Sequence, residues 1–471
     1  MVFSSPVFLF YFLPMVFFLY FLSRVFFKDY TVSNFILIFF SLFFYLYGSG
    51  VYLVVLLFVI AVIYFSGLLA SRKDKIGLWF GIFSTLSILV IFKYSNFLTK
   101  EMHNISPSNF VHFFKPTNFL LPLGISFFTF QGISYIIDVY RSKEDRPKSL
   151  FNATLYISMF PQLVAGPIVR YQDIRSQLND HPTSIDNVVT GAMRFIWGLG
   201  KKVLIADNCA SIANVVFKLP GEELTSFAAV LGILSYSFQI YFDFSGYSDM
   251  AIGLGRIFGF QFPENFYRPY SATSMKDFWR RWHMTLTTWF RDYLYIPLGG
   301  NQRGGWKTYR NLWIVFLCTG IWHGANWTFV LWGIFHGACL TVERLLKIKT
   351  TGQINFLRKI FVFILVSLGW VLFRSESIGQ AVDVYNGLIF QHGFKLPIQV
   401  SLVLTHKNLI FLGVAFFSLL LPRDFVVGKI LQNEQSLIVR FVEAPIFIGL
   451  CLAILLQISS SRFSPFIYFQ F

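Results

Sequence analysis

The sequence predicts an all-α, polytopic integral membrane protein. Of its 471 residues, 55% are hydrophobic and 20% aromatic, whereas only 13% are charged. A soluble domain carries about 25% charged residues. The mean hydropathy is correspondingly high, at +0.60. Apolar runs recur along the chain, and helices are the simplest way for them to cross lipid because a helix pairs its backbone groups internally.

The first third of the chain contains five apolar runs, which are the first predicted spans. They cover residues 6–27, 35–47, 51–70, 78–97 and 120–139. We expect the first run to be a retained anchor helix, because no small-residue stretch resembling a signal-peptidase site is present. Gly48, Ser49 and Gly50 mark the turn between the second and third runs.

Beyond residue 150 the apolar runs are broken by Gly, Pro and charged residues. We expect residues 157–174 and 191–207 to form re-entrant or buried helices, because irregular backbone at membrane depth needs protein or a water-filled cavity around it. Plainer spans are predicted at residues 225–242, 311–321, 326–346, 356–373, 408–421 and 441–458.

The net charge of +16 does not indicate a nucleic-acid-binding protein, because the basic residues lie between apolar runs and form no basic domain. This distribution follows the positive-inside rule. It places the basic loops 71–77 and 141–150 in the cytoplasm and the N-terminus outside. The four cysteines are far apart and predict neither a disulfide framework nor a CxxC site.

Residues 277–301, DFWRRWHMTLTTWFRDYLYIPLGGN, combine many charges with many aromatic rings. At about 100° per residue, six side chains fall within one arc of a continuous helix: Trp279, Trp282, Leu286, Trp289, Phe290 and Tyr293. Arg280, Arg281, Arg291 and Asp292 fall outside it. His283 lies at the edge of the aromatic stripe. One interpretation is an amphipathic helix at the cytoplasmic interface, with its Trp residues among the headgroups and its Arg residues reaching anionic lipid.

Ionisable residues elsewhere favour a reactive site. His323 lies in a Gly-flanked break between apolar runs, and His336 lies in the next run. Asp243, Asp249 and Arg256 lie in or beside another run. Ionisable groups at membrane depth are costly and by default mark a pathway or a reactive site. A neutral imidazole can take a proton from a hydroxyl that attacks an activated acyl carbon, while a second histidine or a peptide N–H could hold the developing oxyanion.

Other chemistries find little support in the sequence. No GxSxG elbow supplies a serine nucleophile, and no P-loop or GxGxxG indicates nucleotide binding. His323 and His336 would be separated by about 220° around an unbroken helix, which argues against a metal site. A transporter would also use intramembrane charges, but the chain shows no inverted pair of broken segments in two matching halves.

Four passages carry a resemblance to a known family. They are MVFSSPVFLFYFLP at the start, QLVAGPIVRYQDI (162–174), DFSGYSDMAIGLGRIFGFQFPENF (243–266), and FWRRWHMTLTTWFRDYLYIPLGGN running on to WHGANW (278–327). The chain resembles the membrane-bound O-acyltransferase (MBOAT) family, and within it the alginate O-acetyltransferase branch. The resemblance spans nearly the whole chain and weakens after about residue 375.

The fold implied by the resemblance is a single membrane domain, residues 1–471. It is a ring of about 11 transmembrane helices, each needing about 20 apolar residues, with re-entrant or buried helices around a central tunnel. N-terminal transmembrane helices would occupy residues 1–150, the catalytic core residues 151–346, and C-terminal transmembrane helices residues 347–471.

The resemblance also implies roles for individual residues. His323, in WHGANW, matches the invariant catalytic histidine and is the expected general base. His283 matches the second position of the family signature, where related enzymes carry His or Asn. It is the expected partner in orienting the acyl donor or the acceptor. Candidates for binding donor or substrate are Trp279, Arg280, Arg281, Trp282, Asp292 and Asn326. Candidates for supporting these residues are Asp243, Asp249 and His336. No metal is expected.

The implied activity is an O-acyltransferase of the bacterial inner membrane. An acetyl group would pass from a cytoplasmic thioester, acetyl-CoA or another acyl thioester, across the membrane for O-acetylation of an exported polysaccharide such as alginate. The expected partner is a periplasmic acetyltransferase of the SGNH type or an acetyl-accepting protein, and no bound cofactor or nucleic acid is expected. The alternatives are a proton-coupled transporter or channel, and a non-catalytic scaffold for a periplasmic acetyltransferase.

The topology can be tested by cysteine labelling in intact cells. Cysteines introduced into loops 71–77 and 141–150 should resist an impermeant thiol reagent, because the Lys/Arg excess holds these loops in the cytoplasm. A cysteine introduced into the polar stretch 100–107, predicted outside, is the positive control. Modification at either basic loop would refute the topology.

Overall fold

The computed structural model describes residues 1–105, 119–142, 149–302, 304–348, 356–389, 392–420, 437–460 and 466–467. Over these residues the chain forms helices and the turns between them, with no β-strand, so the predicted all-α class is confirmed. Within the same ranges, five helical segments are long and apolar enough to cross a membrane. They are Phe8–Phe26, Thr31–Ala70, Lys75–Asn104, Ser226–Ile257 and Phe356–Arg374. The count of about eleven spans stays a prediction.

The five apolar runs of the first third form helices, as predicted. They are α1 (Leu13–Phe26), which continues from a π-helical turn at Phe8–Phe12, α2 (Thr31–Ser49), α3 (Leu53–Ala70), α4 (Lys75–Ile105) and α5 (Ile125–Arg141). The predicted turn between α2 and α3 is centred on Gly50, whose φ of 55° is readily reached only by glycine.

The region after α5 contains short buried helices, as predicted for residues 157–174. They are α6 (Leu150–Ser158), α7 (Phe160–Leu163) and α8 (Tyr171–Ile174). Residues 185–216, which include the helix predicted at 191–207, are helical throughout: α9 (Ile185–Gly200), a π-helical turn at Lys201–Ala206, and α10 (Asp207–Val216). The charges at residues 191–207 do not interrupt this helix, because Arg194 and Lys201 are both ion-paired with Asp249.

The remaining predicted spans also fall on helices. The helices are α11 (Ser226–Ile257), α12 (Met275–Trp279), α13 (Met284–Phe290), α14 (Gly305–His323), α15 (Trp327–Leu345), α16 (Phe356–Arg374), α17 (Ile378–Leu388), α18 (Ile398–Val403), α19 (His406–Leu420) and α20 (Leu437–Ser460). Several begin at a Ser, Thr or Asn whose side chain accepts a hydrogen bond from the first turn, which is a preferred N-cap. These caps are Thr225, Ser274, Asn326 and Ser377.

Helix α11 packs against α9, α10 and α16. Its contact with α9 is close because glycines face each other across it. A Cβ added at Gly253 would lie 2.6 Å from the carbonyl oxygen of Gly191, and one at Gly198 would lie 2.5 Å from that of Gly246. Small residues are typical of such contacts, since lipid supplies no hydrophobic force between helices and close packing must replace it.

The two basic loops that the sequence places in the cytoplasm lie at the same end of the helices. Lys73, in loop 71–77, donates hydrogen bonds from Nζ to the backbone carbonyl oxygens of Tyr140 and Arg141 at the end of α5. Residues 143–148 of the second loop lie outside the described residues. The common end agrees with the predicted topology, and the side of the membrane stays a prediction.

Replacing Gly253 should weaken the contact between α9 and α11. Gly253→Ala places a methyl group against backbone atoms that cannot rotate away, and overpacking of this kind costs about 1–3 kcal/mol. We expect a lower melting temperature for the purified protein in detergent. Gly413→Ala in α19 is the matched control, because no atom lies within 4 Å of its added Cβ. Equal melting temperatures for the two variants would contradict the close packing.

Candidate active site

The charged and aromatic stretch 277–301 does not form the continuous helix that its pattern predicted. α12 ends at Trp279, His283 has a φ of 41°, and α13 begins at Met284. A non-glycine residue keeps a positive φ only where its surroundings impose it. Here the Met284 N–H donates to the Asn265 carbonyl oxygen at 2.9 Å and holds the turn. The aromatic side chains are buried in the protein and do not lie at a lipid interface: Trp279, Trp282, Trp289, Phe290 and Tyr293.

His323 is the last residue of α14, and two neighbouring residues of α4 hold that helix end in place. The last carbonyl groups of a helix have no partner within the helix. Lys93 Nζ donates to the carbonyl oxygens of Trp322 (2.6 Å) and His323 (3.1 Å). Tyr94 donates its hydroxyl hydrogen to the carbonyl oxygen of Ile321 at 2.5 Å. Lys93 was not among the residues predicted from the sequence, although a lysine inside a predicted span was a usable signal.

The histidines at positions 323 and 336 pack against the same tryptophan. The Trp332 ring centroid lies 5.0 Å from that of His323 and 4.7 Å from that of His336. Trp279 joins this group, 5.2 Å from His336. His323 is 3% exposed and His336 is fully buried. The break at residues 324–326 brings together two side chains that an unbroken helix would hold apart.

His283 lies in the same buried region. Its ring centroid is 6.2 Å from that of Trp322, which in turn is 4.9 Å from that of His323. Phe244 packs edge-on against the imidazole at 4.7 Å, and Asn265 Oδ1 lies 3.0 Å from its Nδ1. The structure therefore brings the two histidines of the resemblance to one tryptophan. Asn265 is a second residue that the sequence did not predict, because only the fold places it beside His283.

A cavity borders His323 on the side of α4 and the start of α5. Its polar lining comprises Lys93, Ser126 and His323, and its apolar lining includes Phe127 and Trp322. Ser126 Oγ accepts a third hydrogen bond from Lys93 Nζ at 3.1 Å. Because His323 itself is buried, its imidazole can accept a proton from a hydroxyl with little competition from bulk water.

The arginines of the stretch lie at the turn after α12. Arg280 is exposed, whereas Arg281 is ion-paired with Asp277 at 2.9 Å. Trp282 is buried and packs against Trp370 at 4.8 Å. Of these candidates, Arg280 has the exposure needed to meet a ligand from solvent, while Trp282 belongs to the packed interior.

Asn326 shapes the break that follows His323. Its side chain accepts a hydrogen bond from the Thr328 N–H at 3.2 Å and so caps α15. Its Nδ2 donates to the carbonyl oxygen of Glu376 at 2.8 Å. These bonds make Asn326 a capping residue that connects α15 to the loop after α16.

The three aspartates proposed from the sequence are held in ion pairs. Asp243 pairs with Lys202, Asp249 with Arg194 and Lys201, and Asp292 with Arg170 and Arg291. Carboxylates engaged in this way are better suited to joining segments than to contacting substrate. Over the ranges that the structure describes, no three His, Cys, Asp or Glu side chains form a group that could hold a metal ion.

Comparison with known proteins gives the same family as the sequence motifs. The profile of the MBOAT, membrane-bound O-acyltransferase family matches residues 77–351. The chain is 39% identical to the probable alginate O-acetylase AlgI of Pseudomonas putida over the full length of both proteins. It is 37% identical to the peptidoglycan O-acetyltransferase of Helicobacter pylori over 84% of this chain and 81% of that protein. The teichoic acid D-alanyltransferase of Bacillus subtilis is 30% identical over 59% of this chain and 72% of that protein.

The family match and the apolar helices together confirm the predicted enzyme class and the predicted multi-pass membrane protein. The transporter, channel and scaffold alternatives gain no support from these comparisons. The chain belongs to the membrane-bound O-acyltransferase family, and it is a membrane acyltransferase.

Proposed function

We propose that this acyltransferase moves an acetyl group from a cytoplasmic thioester across the bacterial inner membrane for O-acetylation of an exported polysaccharide. Alginate or a similar polymer is the proposed final acceptor, because relatives over most of the chain are named for O-acetylation of alginate and peptidoglycan. A periplasmic acetyltransferase of the SGNH type, or an acetyl-accepting protein, is the proposed partner.

The observation that carries the proposal is the position of His323 at a capped helix end, beside a cavity and within a cluster of buried histidines. We infer that His323 is the general base. As the acceptor oxygen attacks the thioester carbonyl carbon, the hydroxyl proton passes to the imidazole. The new carbon–oxygen bond forms, the carbon–sulfur bond breaks, and the leaving thiolate receives the proton.

The supporting residues keep this imidazole in place. Lys93 and Tyr94 hold the backbone of residues 321–323. Trp332 contacts the rings of both His323 and His336. A general base must stay within hydrogen-bond reach of the proton that it removes, so a fixed backbone and a packed ring favour transfer.

The proposed donor site lies near the turn after α12. Arg280 and Lys276 are exposed there. Arg and Lys pair with phosphate groups through charge-assisted hydrogen bonds, and the phosphates of acetyl-CoA are suitable partners. No protein-bound cofactor is needed for this chemistry, since the thioester already activates the acyl carbon.

Substitution of the three histidines should rank their importance. His323→Ala should lower polymer acetylation by about 10²–10⁴-fold, the usual contribution of general-base catalysis. His283→Asn should do less harm, because an amide retains hydrogen-bonding atoms, and His336→Gln should do least. The measurement is the acetyl content of the exported polymer per unit of membrane-inserted protein.

The exposed His406→Ala is the matched control and should leave acetylation unchanged. Normal acetylation by a well-expressed His323→Ala variant would refute the enzymatic role of His323. A non-catalytic scaffold would behave in that way.

The donor can be tested with purified protein and its partner. We expect acetyl transfer from acetyl-CoA. In Arg280→Ala we expect weaker binding of the donor, seen as a raised KM for acetyl-CoA. Arg72→Ala is the control, since this arginine is also exposed and lies in the predicted cytoplasmic loop 71–77. Transfer from an acyl carrier protein but not from acetyl-CoA would contradict the proposed donor. An unchanged KM in Arg280→Ala would remove Arg280 from the donor site.

A further inference from the structure

Asn265 lies between α11 and α12, fully buried, and its side chain connects three segments of the chain. Its Nδ2 donates to Ser248 Oγ of α11 at 3.0 Å. Its Oδ1 lies 2.9 Å from Thr285 Oγ1 and 3.3 Å from the Thr285 backbone nitrogen. The same Oδ1 lies 3.0 Å from His283 Nδ1. One amide oxygen thus faces three groups on the turn that carries His283.

The orientation of this amide is determined by its neighbours. An amide oxygen and nitrogen are hard to tell apart by shape alone, so their assignment must come from the hydrogen bonds. The Thr285 backbone N–H can only donate. The Thr285 hydroxyl accepts a hydrogen bond from the Ile168 N–H at 3.0 Å, which leaves its own hydrogen for Asn265. Two donors therefore face the Asn265 atom nearest to His283, and that atom must be the oxygen.

The tautomer of His283 follows from this orientation. An amide oxygen accepts hydrogen bonds and cannot donate them, so His283 Nδ1 must carry the hydrogen of the bond to Asn265. A neutral imidazole has one N–H, and its other nitrogen carries a lone pair. Nε2 of neutral His283 is therefore an acceptor.

The imidazole ring of His283 has little freedom to rotate away from Asn265. The φ of 41° at His283 and the packing of Phe244 and Phe266 against its ring restrict rotation. The Met284 N–H also donates to the backbone carbonyl oxygen of Asn265, so backbone and side chain of one residue hold the turn together.

We propose that Asn265 is a positioning residue that holds His283 in the Nδ1-protonated tautomer, so that His283 accepts a hydrogen bond from an O–H or N–H group of a substrate. This inference rests on the proposed function, and it deepens it. In this tautomer His283 does not donate to the developing oxyanion, which the sequence had suggested for a second histidine. Other hydrogen-bond donors then stabilise the oxyanion, while His283 orients the hydroxyl of the acyl acceptor or an amide N–H of the acyl donor.

The tautomer can be measured without any activity assay. Protonated and unprotonated imidazole nitrogens differ clearly in ¹⁵N chemical shift, so protein labelled with ¹⁵N-histidine reports each ring. The His283 signals are identified by their loss in His283→Asn. In the unsubstituted protein at neutral pH we expect a protonated Nδ1 and an unprotonated Nε2. A protonated Nε2, alone or together with Nδ1, would overturn the proposal.

Substitutions at Asn265 separate positioning from general folding. Asn265→Asp keeps an oxygen facing Nδ1 and should preserve the tautomer, whereas Asn265→Leu should lose it. Ser248→Ala removes the partner of Nδ2 and leaves Oδ1 in place, so it is the matched control and should keep the tautomer. An unchanged His283 spectrum in a folded Asn265→Leu variant would refute the role of Asn265.

The loss of acetylation in the Asn265 variants should parallel the change in the ¹⁵N spectrum of His283. Removing partners that orient a histidine in metal sites costs about 10–100-fold, and we expect a loss of this size in acetylation for Asn265→Leu and a smaller one for Asn265→Asp. If His323→Ala keeps full activity while His283 shows the expected tautomer, the proposed function fails and the tautomer assignment stands. If His323→Ala is inactive while Nε2 of His283 is protonated, only the present inference fails.

Discussion

The structure depends on one constraint, which is that buried backbone and side-chain polar groups must find hydrogen-bond partners. Interrupted helices leave such groups unpaired where apolar side chains exclude water. Each unsatisfied group in hydrocarbon costs several kcal/mol. The end of α14 is satisfied by Lys93 and Tyr94 from α4. The start of α12 is satisfied by Glu343 of α15, whose carboxylate accepts the Met275 N–H at 2.6 Å. The broken helices persist because distant segments supply their missing partners.

The same requirement concentrates chemistry at one place. A helix that ended in lipid without partners would be unstable. Helix α14 ends inside the protein, and its last residue, His323, borders a cavity. His283 is likewise held by hydrogen bonding, because its turn is joined to Asn265. Both histidines are therefore fixed by hydrogen bonds to backbone or side chains as well as by aromatic packing, which favours the preorganisation that acyl transfer needs.

Other polar residues in this protein join segments of the chain through ion pairs. Asp243 is buried and Asp249 and Asp292 are partly buried, and each is paired with Lys or Arg. A buried carboxylate requires such a partner, because its desolvation is otherwise uncompensated. The charges between residues 191 and 207 therefore stabilise contacts between α9 and α11 instead of ending a helix. Ion pairing explains why charge alone could not separate structural residues from candidate site residues.

The sequence by itself determined the membrane class, most helix positions and the two histidines of the family motifs, because hydropathy and motif spacing are properties of contiguous residues. Only the tertiary structure decided the break at His283, the meeting of His323 and His336 at Trp332, and the contribution of Lys93 and Asn265. Periodicity assumes an unbroken helix, and it failed at residues 277–301 because hydrogen bonds from distant segments stabilise a turn there. Partners separated by tens or hundreds of residues leave no local pattern, so their contacts emerge only when the chain is folded.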